Sequence, residues 1–381
     1  MRLLMAGSIV MLGLVGLCHA DEKQGIVYVG TIGKSAIALR LEKNEQQTIG
    51  RYFYRSQGVD ISLLPGKRGG EFIECPLSGG DAEPPACEHP TGYWTLSFGA
   101  DAVTGEWRKT PQVAHALAID LKRTTLPCDM GPADTSLSGH TYECLRSEGE
   151  QEVLPKKGTA ANGAVTWQFV RDKRSGAIMP QLIKAPNAEA MRRINEARQK
   201  IFRNEVSVAL QSLPQGESSC TPTVAFANER LFVIDENCES DWPGAVHPSS
   251  GWGTVSYDLA TGDDIDWTTE LRFPTTNDKT FDYAKGNDIV SLALRHAADK
   301  RDEDDCQAQA LESFDCKGSV CTNWGHFGNG WKNDIQFSPR PQGLFTAFNM
   351  YPEMARNCRG EGFVLPWRDV RALQTSPRQF P

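Results

Sequence analysis

After its first twenty residues the chain lacks any apolar run approaching the roughly 18 residues that a helix needs to cross a bilayer, so nothing beyond that point is expected to insert in a membrane. Positive charge is also in short supply: 40 lysines and arginines stand against 48 aspartates and glutamates, a net charge of −8. An acidic balance disfavours nucleic acid and anionic lipid as partners. There is no Cys-x-x-Cys, and the seven histidines are scattered without ligand spacing, so no zinc site and no other metal or cofactor is expected. Gly33-Lys34-Ser35 lacks the earlier glycine of a phosphate-binding loop, and no nucleophile-elbow pattern is present.

What the chain does have begins with Arg2, an apolar run from Leu3 to Leu17, and Cys18-His19-Ala20 ahead of Asp21-Glu22. One positive charge, a hydrophobic stretch too short for a span and a small residue at the cut describe a secretory signal peptide over residues 1–20, cleaved after Ala20. The bulk of Leu17 disfavours lipid attachment at Cys18. Losing the leader removes one basic group and no acid, so the remainder is one unit more negative. Ten of the eleven cysteines stay: Cys75, Cys87, Cys128, Cys144, Cys220, Cys238, Cys306, Cys316, Cys321 and Cys358. An even number in an exported chain points to disulfides, and hence to the periplasm or the exterior. Cys75 with Cys87 and Cys128 with Cys144 would each close a short loop, worth about 3 kcal/mol. Cys220 with Cys238 is the next local pair, and the spacing of the last four leaves their pairing open.

Length and patterning suggest a β-rich N-terminal domain over 21–160 and an α+β domain over 161–381. The expected fold class is α+β: an N-terminal antiparallel β domain, a small sheet or barrel, then an α+β domain with one long helix packed on an antiparallel sheet. Ile37, Leu39 and Leu41 alternate, Tyr52-Phe53-Tyr54 follows Gly50, and Tyr93 to Phe98 with Val103 to Trp107 suggests a hairpin. A further strand is expected within 114–121, and 131–163 is a polar, glycine-bearing stretch. Gly30-Thr31-Ile32-Gly33-Lys34, Gly50-Arg51-Tyr52-Phe53-Tyr54 and Thr91-Gly92-Tyr93-Trp94, in that order, resemble patterns in many exported bacterial proteins; none of them implies an activity.

The strongest helix signal starts at Asn187, a suitable N-cap, with Glu189 in the first turn. Met191, Ile194, Ala197, Ile201 and Val208 recur at helical spacing, with Met191 and Ile201 expected in the core. Arg192, Arg193, Arg198, Lys200 and Arg203 form a solvated basic face. Strands over 223–227 and 231–235 lead into the loop Gly244-Ala245-Val246-His247-Pro248. A strand through Ser256-Tyr257-Asp258 follows, then the turn Ala260-Thr261-Gly262-Asp263, in which Gly262 can take positive φ, and a continuation of the strand through Ile265 and Trp267.

The histidine loop followed by this Thr-Gly turn resembles the C-terminal domain of unknown function shared by the anti-sigma factor RsiV and the peptidoglycan deacetylase PdaC. There a Gly-Gly-Ala-His loop precedes a strand, Thr-Gly, strand segment; here Ala245 or Val246 replaces the second glycine. The resemblance extends back through Pro180-Gln181-Leu182 and Ile194-Asn195. It extends forward through Ile335-Gln336-Phe337, Leu344 to Phe348, Tyr351-Pro352, and Gly362 to Val370 with Pro366 opening a short helix. The insertion carrying Cys358 departs from the family pattern.

His247 lies among Asp241, Ser249, Ser250 and Asp258, which allows either a loop-fixing histidine or a ligand contact. Thr280-Phe281-Asp282-Tyr283 is like the first metal motif of polysaccharide deacetylases, but lacks its second aspartate. Asp263, Asp264 and Asp266 lack the ordered spacing of a calcium loop. Trp324-Gly-His326-Phe327-Gly-Asn-Gly-Trp331 offers flat faces suited to a sugar or a protein cleft. The ligand-binding candidates are therefore His247, Trp324, His326, Phe327, Trp331 and Tyr351, and no catalytic residue is expected. The resemblance implies an envelope binding protein whose partner is a glycan or a lysozyme-like protein; the alternative is an envelope hydrolase using His247 and nearby carboxylates.

Overall fold

The computed structural model describes residues 25–43, 47–76, 87, 89–125, 141–213, 216–241, 248–274, 280–301, 305–322, 335–348, 358, 360–378 and 380. Eight antiparallel strands open the described chain: β1 (Ile26–Ile32), β2 (Ser35–Lys43), β3 (Thr48–Tyr54), β4 (Ile61–Pro65), β5 (Glu71–Pro76), β6 (Gly92–Phe98), β7 (Ala102–Arg108) and β8 (Leu117–Arg123). Each pairs with the next, and Tyr28↔Arg123 through Ile32↔Ile119 joins the last to the first, closing a barrel. The period-2 alternation dictates the filling. Ile37, Leu39 and Leu41 point inward beside Tyr52, Phe72, Trp94 and Leu121, while exposed Thr104, Glu106, Asp120 and Lys122 line the outside. The interior is packed with side chains, and the polar exterior is the inverse of a lipid-facing barrel. One carboxylate sits inside: Glu74 accepts bonds from the Tyr52 hydroxyl (2.8 Å), the Trp107 indole N–H (2.7 Å) and the Thr91 hydroxyl (2.7 Å).

A short helix, α1 (Thr141–Ser147), covers one outer flank of the barrel through Tyr142 and Leu145, which pack on Val27, Ala38 and Phe53. The polar character of 131–163 hid it. Seven residues make a marginal helix, and it is the burial of one side against the barrel that holds it. Beyond it come β9 (Gln151–Ala160), β10 (Val165–Asp172) and β11 (Ile178–Lys184), a three-stranded sheet.

The long helix α2 (Ala188–Ser212) follows. The Asn187 carboxamide oxygen accepts the N–H groups of Glu189 and Ala190 at 2.9 and 3.2 Å, completing the N-cap. One turn on, Asn195 bonds both backbone groups of Leu182, accepting its N–H at 2.9 Å and donating to its carbonyl at 2.8 Å. This explains why Pro180-Gln181-Leu182 and Ile194-Asn195 travel together. The buried stripe runs through Ala190, Ile194, Arg198, Phe202, Val206 and Leu210, whereas Met191 and Ile201 are half-buried, a shift of the expected core face.

A second three-stranded sheet, β12 (Glu217–Ala227), β13 (Leu231–Asp241) and β14 (Ser249–Asp258), lies at the centre of the remainder. Phe232, Ile234 and Tyr257 face α2, while Leu231 and Val233 face the opposite layer. After β14 the turn is as the residues require: Gly262 has φ +83° and packs against the Ala190 backbone. The strand does not continue through Ile265 and Trp267, however. A single bridge, Tyr257↔Asp264, is formed, and Asp266 then accepts the Thr268 N–H at 2.9 Å to start α3 (Trp267–Glu270). A carboxylate placed to cap outweighs alternation.

The rest builds the opposite layer. It contains β15 (Phe281–Asp282), α4 (Ile289–Lys300), α5 (Asp305–Ser313), β16 (Cys316–Lys317), β17 (Val320–Cys321), β18 (Ile335–Pro339), β19 (Gly343–Phe348), β20 (Gly362–Pro366) and α6 (Trp367–Arg371). Val290, Leu294, Leu311, Phe337, Phe348 and Val370 belong to its core. Disulfides join Cys75 to Cys87, Cys220 to Cys238, Cys306 to Cys358 and Cys316 to Cys321. Cys144 is also disulfide-bonded; Cys128, like residues 1–20, lies outside the described residues. No helix among the described residues is long and apolar enough to cross a membrane.

Candidate functional site

His247, Trp324, His326, Phe327, Trp331 and Tyr351 all lie outside the described residues. The described strands show where the segments that carry them are attached. Residues 242–247 join β13 to β14, whose outermost described pair is Ser240↔Ser249. Residues 323–334 end at Ile335 and residues 349–357 begin after Phe348, and Ile335 and Phe348 are directly opposite one another in the β18–β19 ladder. Two of the three segments thus leave from one end of one hairpin. Trp252 on β14 brings the third attachment near: its ring meets Phe345 of β19 edge-on at 5.5 Å and lies against Gly360, just ahead of β20.

The bases of these segments are held by covalent bonds. Cys220 and Cys238 are opposite residues on β12 and β13, and Cys316 and Cys321 are opposite residues on β16 and β17. Cys358 ties the stretch before β20 to α5 at Cys306.

Between the central sheet and β18 runs a polar seam. Asp235, buried on β13, accepts the Ser338 hydroxyl at 2.7 Å and pairs with Arg340, whose guanidinium lies 5.2 Å over the Phe345 ring. On the other face of the central sheet, Arg198 is 1 % exposed and pairs with Glu236 of β13. The sequence reading placed Arg198 on the solvated face of α2. It is buried because a carboxylate on the facing strand receives it. Burial alone would lower its pKa, and the Glu236 charge more than restores it, so the guanidinium stays charged. Glu205, two turns along α2, is pushed up to about 8 by burial and then by the neighbouring Glu236 charge, which Arg198 only partly offsets. Burial likewise raises the Tyr257 phenol.

The remaining acidic candidates have structural occupations. Asp263 pairs with Arg193, Asp264 makes the bridge to Tyr257, and Asp266 caps α3. Asp282 accepts the Ser319 hydroxyl at 2.7 Å and pairs with Lys285 at 2.8 Å, and these bonds lower its pKa. Among the described residues no three His, Cys, Asp or Glu side chains gather as a metal site would require. The surroundings of the seam are suited to holding a ligand: apolar and aromatic walls, rigid strands and fixed charges. Residues that sequence reasoning did not single out are Thr254 and Ser256, whose side chains enter this seam region; small hydroxyl residues alternating in Gly251-Trp252-Gly253-Thr254-Val255-Ser256 are the only local signal.

No family model matches the chain, and no curated protein matches it. Among solved structures it is similar to the crystal structure of a DUF3298 family protein from Pseudomonas aeruginosa PAO1, at 11% sequence identity and a TM-score of 0.35, over 60% of this chain and 94% of that one. At that score the likeness carries no argument about this chain.

Proposed function

We propose that the chain is an exported binding protein of the bacterial cell envelope, working without turnover, whose ligand is a cell-wall glycan or a lysozyme-like protein. The carrying observation is the side-by-side attachment of the 323–334 and 349–357 segments at Ile335 and Phe348, with Trp252 linking β14 to the same strands. Residues presented from neighbouring strand ends of a disulfide-tied scaffold can meet one ligand together, and binding residues are commonly placed on such loops. The resemblance to the RsiV and PdaC domain supports an envelope partner, and the disulfides favour an oxidising compartment.

The test is retention. Oxidised protein lacking residues 1–20, immobilised, is expected to hold back a purified lysozyme or soluble peptidoglycan fragments, and to lose that retention when Trp324 and Trp331 are both replaced by alanine. Failure to retain either, or glycan cleavage that disappears in His247→Ala, would overturn the proposal.

A further inference from the structure

A cleft of about 180 Å³ opens where β14, β18 and α3 meet. Its apolar walls are Ile265, Phe273, Ile335 and Phe337, of which all but Phe273 are buried. Two hydroxyls belong to its lining, Thr254 Oγ1 and Ser256 Oγ. Both atoms are buried without a hydrogen-bond partner, and Ser256 is only 2 % exposed. Neither is explained by the strand, whose backbone pairing does not use them. A buried hydroxyl without a partner costs on the order of 1–3 kcal/mol, so two in adjacent same-face positions of one strand, lining one cleft, are a feature to be accounted for.

The chemistry of the lining narrows the occupant. The partner-less groups are neutral, and each can donate and accept, which matches another hydroxyl better than an ion. An ion placed between them would be desolvated against apolar walls with no opposite charge to receive it. Asp264 and Asp266 stand exposed at the mouth and oppose an anion. The volume lies below the 300–1,000 Å³ typical of pockets for larger ligands, which limits the occupant to about one ring. We infer that this cleft binds a single neutral, hydroxyl-bearing sugar ring, with Thr254 and Ser256 as its hydrogen-bonding floor and Phe273 and Phe337 against its C–H face.

The choice of wall sugars for the test rests on the binding role proposed above. Saturation-transfer NMR on the oxidised protein with millimolar N-acetylglucosamine is expected to give ring-proton signals, and with N-acetylmuramic acid, whose carboxylate meets Asp264 and Asp266, weaker ones. Thr254→Val and Ser256→Ala should each weaken N-acetylglucosamine binding about fivefold or more. Because both hydroxyls lack partners in the free protein, the same substitutions should leave the thermal midpoint unchanged or raise it. Three results would overturn the inference: no transfer to the wild-type protein, transfer unaffected by both substitutions, or a midpoint several degrees lower in Ser256→Ala. The two proposals fail separately. Lysozyme or fragment retention with a silent cleft removes only the sugar site, and monosaccharide binding without retention removes only the envelope partner.

Discussion

Glu205 is the side chain whose charge folding opposes most plainly. Its ordinary pKa of 4.5 becomes about 8 in the folded protein, through burial first and the Glu236 charge second. Between those values the folded state keeps a proton that the unfolded chain releases, so stability declines as pH rises across the window and is level above it. Glu205→Gln should abolish this component: the urea midpoint of the variant should fall less from pH 5 to pH 8 than that of the parent, and exceed it at pH 8. An unchanged slope would refute the assignment. The same cluster marks a limit on reading side chains from sequence. Arg198 shares a helix with Arg192 and Arg193, which are exposed, and what distinguishes it is Glu236, 38 positions away. Nothing local announces such a partner.

At the level of elements, the covalent ties set an order of importance. In the chain-entropy account, removing Cys220–Cys238, with its separation of 18, should cost about 3 kcal/mol, and removing Cys306–Cys358, with 52, about 4 kcal/mol. Paired Cys→Ser variants compared by denaturant unfolding test this, and a larger loss at the shorter loop would contradict it. Strands and the long helix were legible because their signals are periodic and local: Ile37, Leu39 and Leu41 alternate, and Asn187 caps. Helix α1 and the early end of β14 were not, since one depends on a barrel surface far away in sequence and the other on the Asp266 cap competing with alternation. The candidate ligand residues were chosen by composition alone, and the structure gives their attachment points without the residues themselves. Thr254 and Ser256 escaped notice because an unsatisfied hydroxyl is a property of packing, invisible in a list of residues.

Across the whole molecule, the barrel and the layers behind it are joined at one charged point. Arg146 is fully buried and donates to both carboxylate oxygens of Asp60 at 2.6 Å; the Tyr142 hydroxyl adds a bond of 2.8 Å to Asp60. Leu210 of α2 packs over Gly58 close by, and Arg174 reaches the Arg55 carbonyl at 3.2 Å. Asp60→Asn would leave a buried guanidinium without its anion, a loss of about 3 kcal/mol or more. Calorimetry should show one transition in the parent and two in this variant, as the barrel and the remainder come apart; a single transition at the original midpoint would show that the joint is held otherwise. The barrel's meander has a further consequence, for the sequence of events in maturation. Every strand finds its neighbour next along the chain except at the β1–β8 seam, and segments that emerge first can assemble first. Cys75 can therefore meet Cys87 before Cys220 and the later thiols have emerged, so that oxidation proceeds in batches and most mismatched bridges never have the chance to arise.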